Sequence, residues 1–365
     1  MSFVMACQQS GIGVHGDTLA YTSEKVRRFK YRAPDEKFIT LVRTFFRSRR
    51  MPSAHRTAIY THPDCTRHEM GHWHPESPAR LQAIEDQLIA SRLADFFERC
   101  EAPEAALAQI SRVHTDSAIA LLRDHIPISG YYPLDEDTLL NPHSWRAALR
   151  AAGAAVAATD AVIAGKYQNA FCSVRPPGHH ATPNTPMGFC LLNNVAIAAR
   201  HALEVHGLQR VAVIDFDVHH GNGTQAAFKV EPRVLMASFF QHPFYPYSGA
   251  EPASSGQAKN VNLPVPAYSG GDVVRQLITE HWLPALHAHA PEMIFISAGF
   301  DAHREDDMGQ MRLVEADYAW ITQQIMQIAQ RYAKGRIVSC LEGGYNLSAL
   351  SRSVVAHLKV LAELD

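Results

Sequence analysis

From about residue 144 onward the chain alternates short apolar runs with longer helix-spaced ones, and this alternation restricts its fold more than any other feature. The short runs, at 170–174, 210–214, 233–239, 292–297 and 336–341, are rich in β-branched, aromatic and other apolar residues. Such segments read as strands buried on both faces. Between them, 144–165, 191–206, 272–288, 314–332 and the stretch from 347 read as helices. Residues 56–61 add a first strand, and Leu81, Ile84, Leu88 and Ile89 give 76–93 a helical period. Strands alternating with helices imply parallel pairing, because each helix carries the chain back to the starting end of the sheet. The expected architecture is α/β: a central, mostly parallel sheet with helices on both faces, forming one domain over 56–365.

In sheets of this kind ligands gather at the carboxyl ends of the strands. The run 210–214 leads into IDFDVHHGNG (214–223), where Asp215, Asp217 and His219 alternate. In an extended chain they share one face. Two carboxylates at a buried strand end are costly without a cation, and an Asp with a His suits a divalent ion such as zinc. Three other strand ends are equally polar. RPPGHH brings His179 and His180, GFD brings Asp301, and EGGY brings Tyr345. Each alone has a plain reading, as a helix cap, a turn residue or a ribose- or phosphate-binding strand end. Four together describe a hydrolytic site. Asp217, His219 and Asp301 make three ligands with open positions, the arrangement of a catalytic rather than a structural zinc. His179 and His180 offer a base and an acid, with Asp215 and Asn222 to hold their far nitrogens. Tyr345 can donate to a developing oxyanion. The set points to amide hydrolysis by metal-activated water, without a covalent intermediate.

Competing chemistries lack their residues. His68-Glu69-Met70-Gly71-His72 fits HExxH, but that motif needs a helix. Gly71 inside it and Trp73-His74-Pro75 after it favour a rim loop. No GxSxG, P-loop or GxGxxG occurs. The six cysteines never fall within three residues of one another, which excludes CxxC motifs and fits a reducing cytoplasm. A net charge of −2 gives no whole-chain attraction to nucleic acid or to a membrane surface. The small-apolar run 151–165 is interrupted by Thr159-Asp160 and is too short to span a bilayer. Residues 1–55 are rich in Lys and Arg and differ from the rest. They are expected to be a loosely attached extension, or a start read too early with Met51 as the true beginning, rather than a basic interaction arm.

RPPGHHA (175–181), GFCLLNNVAIAA (188–199), VIDFDVHHGNGTQ (213–225), SAGFDAH (297–303) and LEGGYN (341–346) resemble the histone deacetylase superfamily. The resemblance is closest to class II enzymes and bacterial histone-deacetylase-like amidohydrolases, and covers roughly 56–365. It implies the three-layer arginase–deacetylase fold and removal of acetyl or acyl groups from acyl-lysine or related amines. The metal the resemblance implies is zinc, with iron(II) as an alternative in the cell. By position, Asp217, His219 and Asp301 resemble the zinc ligands, His180 the general base beside His179, and Tyr345 the transition-state tyrosine. Asn222 stands where class I members carry Asp, as it does in class II. Gly188, Phe189 and Tyr245 resemble channel walls. Met308 takes a position where polyamine-preferring relatives can carry an acid, and its thioether suits an aliphatic acyl-lysine stem. The resemblance also implies structural potassium beside the zinc, through Asp215, Ser238 and the backbone of Asp217, His219 and Phe239. A second, outer potassium would use Phe228 and Val234, although Lys259 stands where relatives often have Tyr. An acetylpolyamine amidohydrolase, a non-catalytic acyl-lysine-binding module and an arginase-like two-metal hydrolase are the competing readings. A homo-oligomer stays open.

Overall fold

The computed structural model describes residues 57–251 and 259–364. The basic stretch 1–55 lies outside the described residues. Eight strands form one sheet: β1 (Thr57–Thr61), β2 (Glu98–Glu101), β3 (Asn169–Cys172), β4 (Val211–Asp215), β5 (Val234–Gln241), β6 (Lys259–Val265), β7 (Met293–Ala298) and β8 (Ile337–Leu341). Their order is β2-β1-β3-β8-β7-β4-β5-β6, and every ladder between them is parallel. The chain therefore starts at β1, places β2 at one edge, returns to β3 on the inner side of β1, starts again at β4, runs out through β5 to β6 at the other edge, and fills the gap with β7 and β8. Strands β3, β8, β7 and β4 are consecutive in the sheet. They are the four whose carboxyl ends carry the polar motifs, so the expected site lies at the reversal of strand order, where α/β sheets open a crevice.

The central strands are buried along their whole length, as continuous apolar runs require. Two edge strands escape a reading based on apolar runs. β2 is ERCE and exposes alternate residues, and β6 is KNVNLPV, exposed at Lys259 and Pro264 and half-buried at 260–262. Polar side chains on an edge limit pairing with other chains but remove the apolar signal.

Helices cover both faces. On one, α2 (Ser144–Ile163) packs beside α3 (Asn194–Glu204). The alanines of α2 at 147, 148, 151, 152, 154, 155 and 158 are wholly buried, and their small side chains bring the helix close to β1, β3 and β8. On the other face α7 (Leu347–Leu361) packs between α1 (Ala79–Ala90) and α6 (Glu315–Tyr332). The helix expected at 272–288 is α4 (Gly271–Leu277) and α5 (Leu283–His289), joined by a π turn at Ile278–Trp282. Pro284 explains the turn: it has no N–H to bond back and its ring crowds the preceding carbonyls. No helix among the described residues is long and apolar enough to cross a membrane. Residues 68–72 are irregular, and His68 is buried with Nδ1 2.8 Å from Ser144 Oγ, so the HExxH geometry is absent there.

Candidate active site

β4 ends at Asp215, and the chain beyond it turns instead of continuing as a strand. Asp215 Oδ1 accepts the N–H of Asp217 at 3.1 Å, and Asp217 Oδ1 accepts the N–H of His219 at 2.9 Å. These Asx-type bonds correct the expectation that Asp215, Asp217 and His219 share one face of an extended chain. Short acidic side chains bond to the backbone two residues on and bend it. The result divides their work. Asp215 Oδ2 reaches His179 Nδ1 at 3.1 Å, whereas Asp217 and His219 turn toward Asp301.

His219 Nδ1 lies 3.0 Å from Asp217 Oδ1 and 3.2 Å from Asp301 Oδ2, and all three side chains are buried. Asp301 Oδ2 accepts no well-aligned hydrogen bond. Burial and the charge of Asp217 raise the Asp301 carboxyl to about 7. Burial disfavours the His219 cation, but Asp217 and Asp301 outweigh it and raise the ring to about 9. Asp215 and Glu342 are also fully buried, and burial lifts Glu342 to about 7. Four carboxylates without a buried Lys or Arg among them call for a cation, and the converging Asp217, His219 and Asp301 donors suit a divalent one. Space is kept for it. A Cβ added to Gly343 would lie 2.1 Å from Asp301 Oδ2 and 2.6 Å from Asp217 Oδ2.

The other ligand-like clusters are satisfied from within. Asp160 Oδ1 takes His201 Nε2 at 2.7 Å and His206 Nε2 at 2.6 Å. Arg112 Nη1, 3.4 Å from His201 Nδ1, can only donate, so the proton of that ring sits on Nε2 and leaves no lone pair there. In the third cluster, Glu342 Oε2 already accepts the N–H groups of Gly178 and His179.

The adjacent histidines differ in the same way. His180 Nδ1 lies 2.7 Å from Asn222 Oδ1, an atom that only accepts, so Nδ1 carries the proton and Nε2 a lone pair. Burial and the neighbouring imidazoles His179 and His219 hold His180 well below the ordinary range, as a neutral ring. His179 is equally buried, but Asp217 and Asp215 outweigh burial and push it well above that range.

A cavity of about 260 Å³ opens above this cluster, floored by His180 and His219 and walled by Gly188, Phe189, Phe244, Tyr245, Met308 and Tyr345. His179 is not part of its lining. Gly188 has φ +57°, and a Cβ there would come within 2.6 Å of His180 Cδ2, so glycine is required. Tyr345 meets Phe189 edge-on at 5.8 Å, and burial keeps its phenol protonated. The structure thus brings His180, His219, Tyr345, Gly188, Phe189, Tyr245 and Met308 to one cavity, with Asp217 and Asp301 against His219, and Asp215 and Asn222 behind the histidine pair. Ser238 pairs with Asp215 across the β4–β5 ladder, with Phe239 next to it. Val234 begins β5 at its opposite end and Phe228 is buried shortly before it.

Among residues 74–361 the chain matches the family model described as histone deacetylase domain. It is 38% identical over 277 residues to the histone deacetylase-like amidohydrolase of Pseudomonas aeruginosa, covering 75% of this chain and 73% of that one. It is 35% identical over 354 residues to type-2 histone deacetylase 2 of Dictyostelium discoideum, covering 84% of this chain but spanning only 21% of that longer protein. The crystal structure of the HDA15 HD domain superposes with a TM-score of 0.79 at 35% identity, over 85% of this chain and 90% of that one. The chain belongs to the histone deacetylase family. It is a hydrolase of that family, with the arginase–deacetylase fold.

Two lining residues of this histone deacetylase site went unread in the sequence, Asp137 and Phe244, whereas Asp307 is legible there as one of the acids beside Met308. Phe244 follows β5, and the strand-end rule applied to that strand would have found it; it stacks on His219 at 5.4 Å. Asp137 sits in a polar loop that gives no such signal. A buried network also went unread. Glu76 accepts from Arg175 and, at 3.0 Å, from Arg80 Nη1, and Arg80 Nε donates to Gly344 O at 2.7 Å. The guanidinium of Arg80 lies 5.0 Å from the centre of the Tyr345 ring.

Proposed function

We propose that this chain removes an acetyl or other acyl group from an acyl-lysine or a related amine, using a divalent ion, zinc or in the cell iron(II), held by Asp217, His219 and Asp301. The observation that carries the reading is the convergence of these three donors beneath a mostly apolar cavity walled by His180 and Tyr345. When bound, the ion supplies Lewis acidity to a water and to the amide carbonyl. Phe189, Phe244, Tyr245 and Met308 enclose the substrate's aliphatic stem and limit access of bulk water. His180 Nε2 takes a proton from the attacking water, its ring fixed by Asn222. The new bond joins the water oxygen to the carbonyl carbon, and the Tyr345 hydroxyl donates to the oxygen that gains charge. His180 then returns its proton to the nitrogen as the C–N bond breaks, giving the carboxylate and the free amine. His179, its Nδ1 3.1 Å from Asp215 Oδ2, stands beside His180 as the second imidazole of the pair. Potassium beside Asp215 and Ser238, and an outer potassium near Phe228 and Val234, belong to the same proposal.

A second substrate reading, an acetylated polyamine, is favoured by Asp137 and Asp307 in the cavity lining, because two carboxylates attract a second ammonium. A panel of acyl-lysine peptides and acetylpolyamines, run with zinc, iron or cobalt, decides between them. Tyr345→Phe is expected to lower turnover by at least about 100-fold, as loss of an oxyanion donor does. Full activity in that variant would remove Tyr345 from the mechanism. A chain that binds an acyl-lysine peptide but turns over no amide with any of the metals would be a binding module.

A further inference from the structure

Tyr345 follows Gly343 and Gly344, and Gly344 has φ +116°, so the backbone leading to it has little restraint of its own. Arg80 restrains it on one side, through Gly344 O, and another loop restrains it on the other. Asp306, five residues beyond Asp301, is only 4% exposed. Its Oδ2 accepts the N–H of Tyr345 at 2.6 Å and that of Asn346 at 2.9 Å. Its Oδ1 accepts the N–H of Met308 at 3.0 Å, and its own N–H donates to His303 O at 2.9 Å. Asn346 Oδ1 in turn accepts from the N–H of Ala349 at 3.0 Å and caps α7. One buried carboxylate therefore joins the loop that carries Met308 to the loop that carries Tyr345, just where the second meets its helix.

We propose that Asp306 is a positioning residue for amide hydrolysis, fixing the backbone of Tyr345 and Asn346 so that the Tyr345 hydroxyl stays at the cavity wall. The proposal rests on the reading of Tyr345 as the oxyanion donor. A donor misplaced by about 1 Å loses on the order of 100-fold in rate. Asparagine at 306 keeps the size but offers one acceptor oxygen in place of two, so it cannot accept on both sides at once.

Asp306→Asn is expected to lower kcat about 10- to 100-fold, to leave KM within about threefold, and to keep the wild-type metal content per chain. In a Tyr345→Phe background the same change is expected to lower kcat less than about threefold, because the hydroxyl it positions is gone. Amide hydrogen exchange at Tyr345 and Asn346 should quicken in Asp306→Asn while protection along β7 and β8 is unchanged. Asp306→Glu, which keeps both acceptor oxygens, should recover part of the rate, and it serves as the test variant should the asparagine form not fold. Wild-type kcat in Asp306→Asn, an equal fold-loss in both backgrounds, or a loss of metal together with activity would each overturn the positioning role. Unchanged exchange at the two amides would overturn the tie itself. Wild-type chain that hydrolyses no amide would instead sink the functional reading, and the exchange data would still judge the tie.

Discussion

Two groups of charged side chains are buried side by side in this fold, and they are composed on opposite rules. Glu76, Arg80 and Arg175 have no exposed surface, and two guanidinium groups enclose one carboxylate. Their remaining N–H groups donate to the carbonyls of Cys65, His68, Glu342 and Gly344. That group completes itself. Asp215, Asp217, Asp301 and Glu342 are as deeply buried, but imidazoles, backbone N–H groups and the Ser297 hydroxyl face them, and no guanidinium or ammonium among the described residues pairs with their carboxylates. A cluster that is neutralised by the chain acts as scaffold. One that is left acidic, with converging ligand atoms, is a place for a cation. The scaffold group also reaches the other: Arg80 holds the carbonyls on either side of Gly343, where a side chain would collide with the Asp217 and Asp301 carboxylates.

Removing one member of each group should separate them most sharply. Glu76→Gln leaves two buried guanidinium groups without their shared anion, a change expected to destabilise the chain by about 3–5 kcal/mol. Asp301→Asn in the metal-free chain removes a like charge, and should shift stability by no more than ~1 kcal/mol, in the stabilising direction. Urea unfolding of both variants in chelator measures this. Should Asp301→Asn prove as damaging as Glu76→Gln, the acidic cluster would be scaffold too.

The next effect in size concerns the ion. With zinc at about 100 times its dissociation constant, the wild-type chain should gain about 2.7 kcal/mol of stability. Asp301→Asn, with one ligand weakened, should gain far less at that concentration, and Glu76→Gln should gain as much as wild type. Zinc titrations followed by thermal melting give all three values. An equal gain in wild type and Asp301→Asn would place the ion elsewhere.

The same contrast explains what could be read from the sequence. Most of the acidic group was legible because Asp215, Asp217 and Asp301 stand at the ends of apolar strands and interrupt the local pattern, as Tyr345 does; Glu342 was read only as the residue before the glycines that lead to Tyr345. The resemblance then added Gly188, Phe189 and Tyr245. Glu76 and Arg80 sit i,i+4 at the entry to α1, a spacing that ordinarily describes a solvated ion pair. Their burial comes from Arg175, almost a hundred residues later, and no local pattern carries that information. Edge strands β2 and β6 were missed for a related reason, since their identity as strands depends on a partner and not on their own apolarity. The division between Asp215 and the other two acids also needed the structure, because period-two reasoning fails once an aspartate bends its own backbone.

The smallest expected effect is the most diagnostic, because it has opposite signs in the two groups. The ion pairs of Glu76 hold it at about 2, below an ordinary glutamate, so they contribute stability that is present above pH 4.5 and lost as pH falls through about 2. Asp301 and Glu342 at about 7 and His219 at about 9 are all raised in the metal-free fold. Groups raised in this way contribute most when protonated, and the contribution is lost as pH climbs through those values. Metal-free chain should therefore melt at progressively lower temperature as pH rises from about 6 to 9. A divalent ion takes over the role of those protons and binds better as its ligands lose them. Zinc-loaded chain should accordingly show a flat or rising melting temperature over the same interval. Parallel slopes with and without zinc would mean that proton and metal do not compete for Asp301 and His219, and the acidic cluster would lose its reading as a cation site.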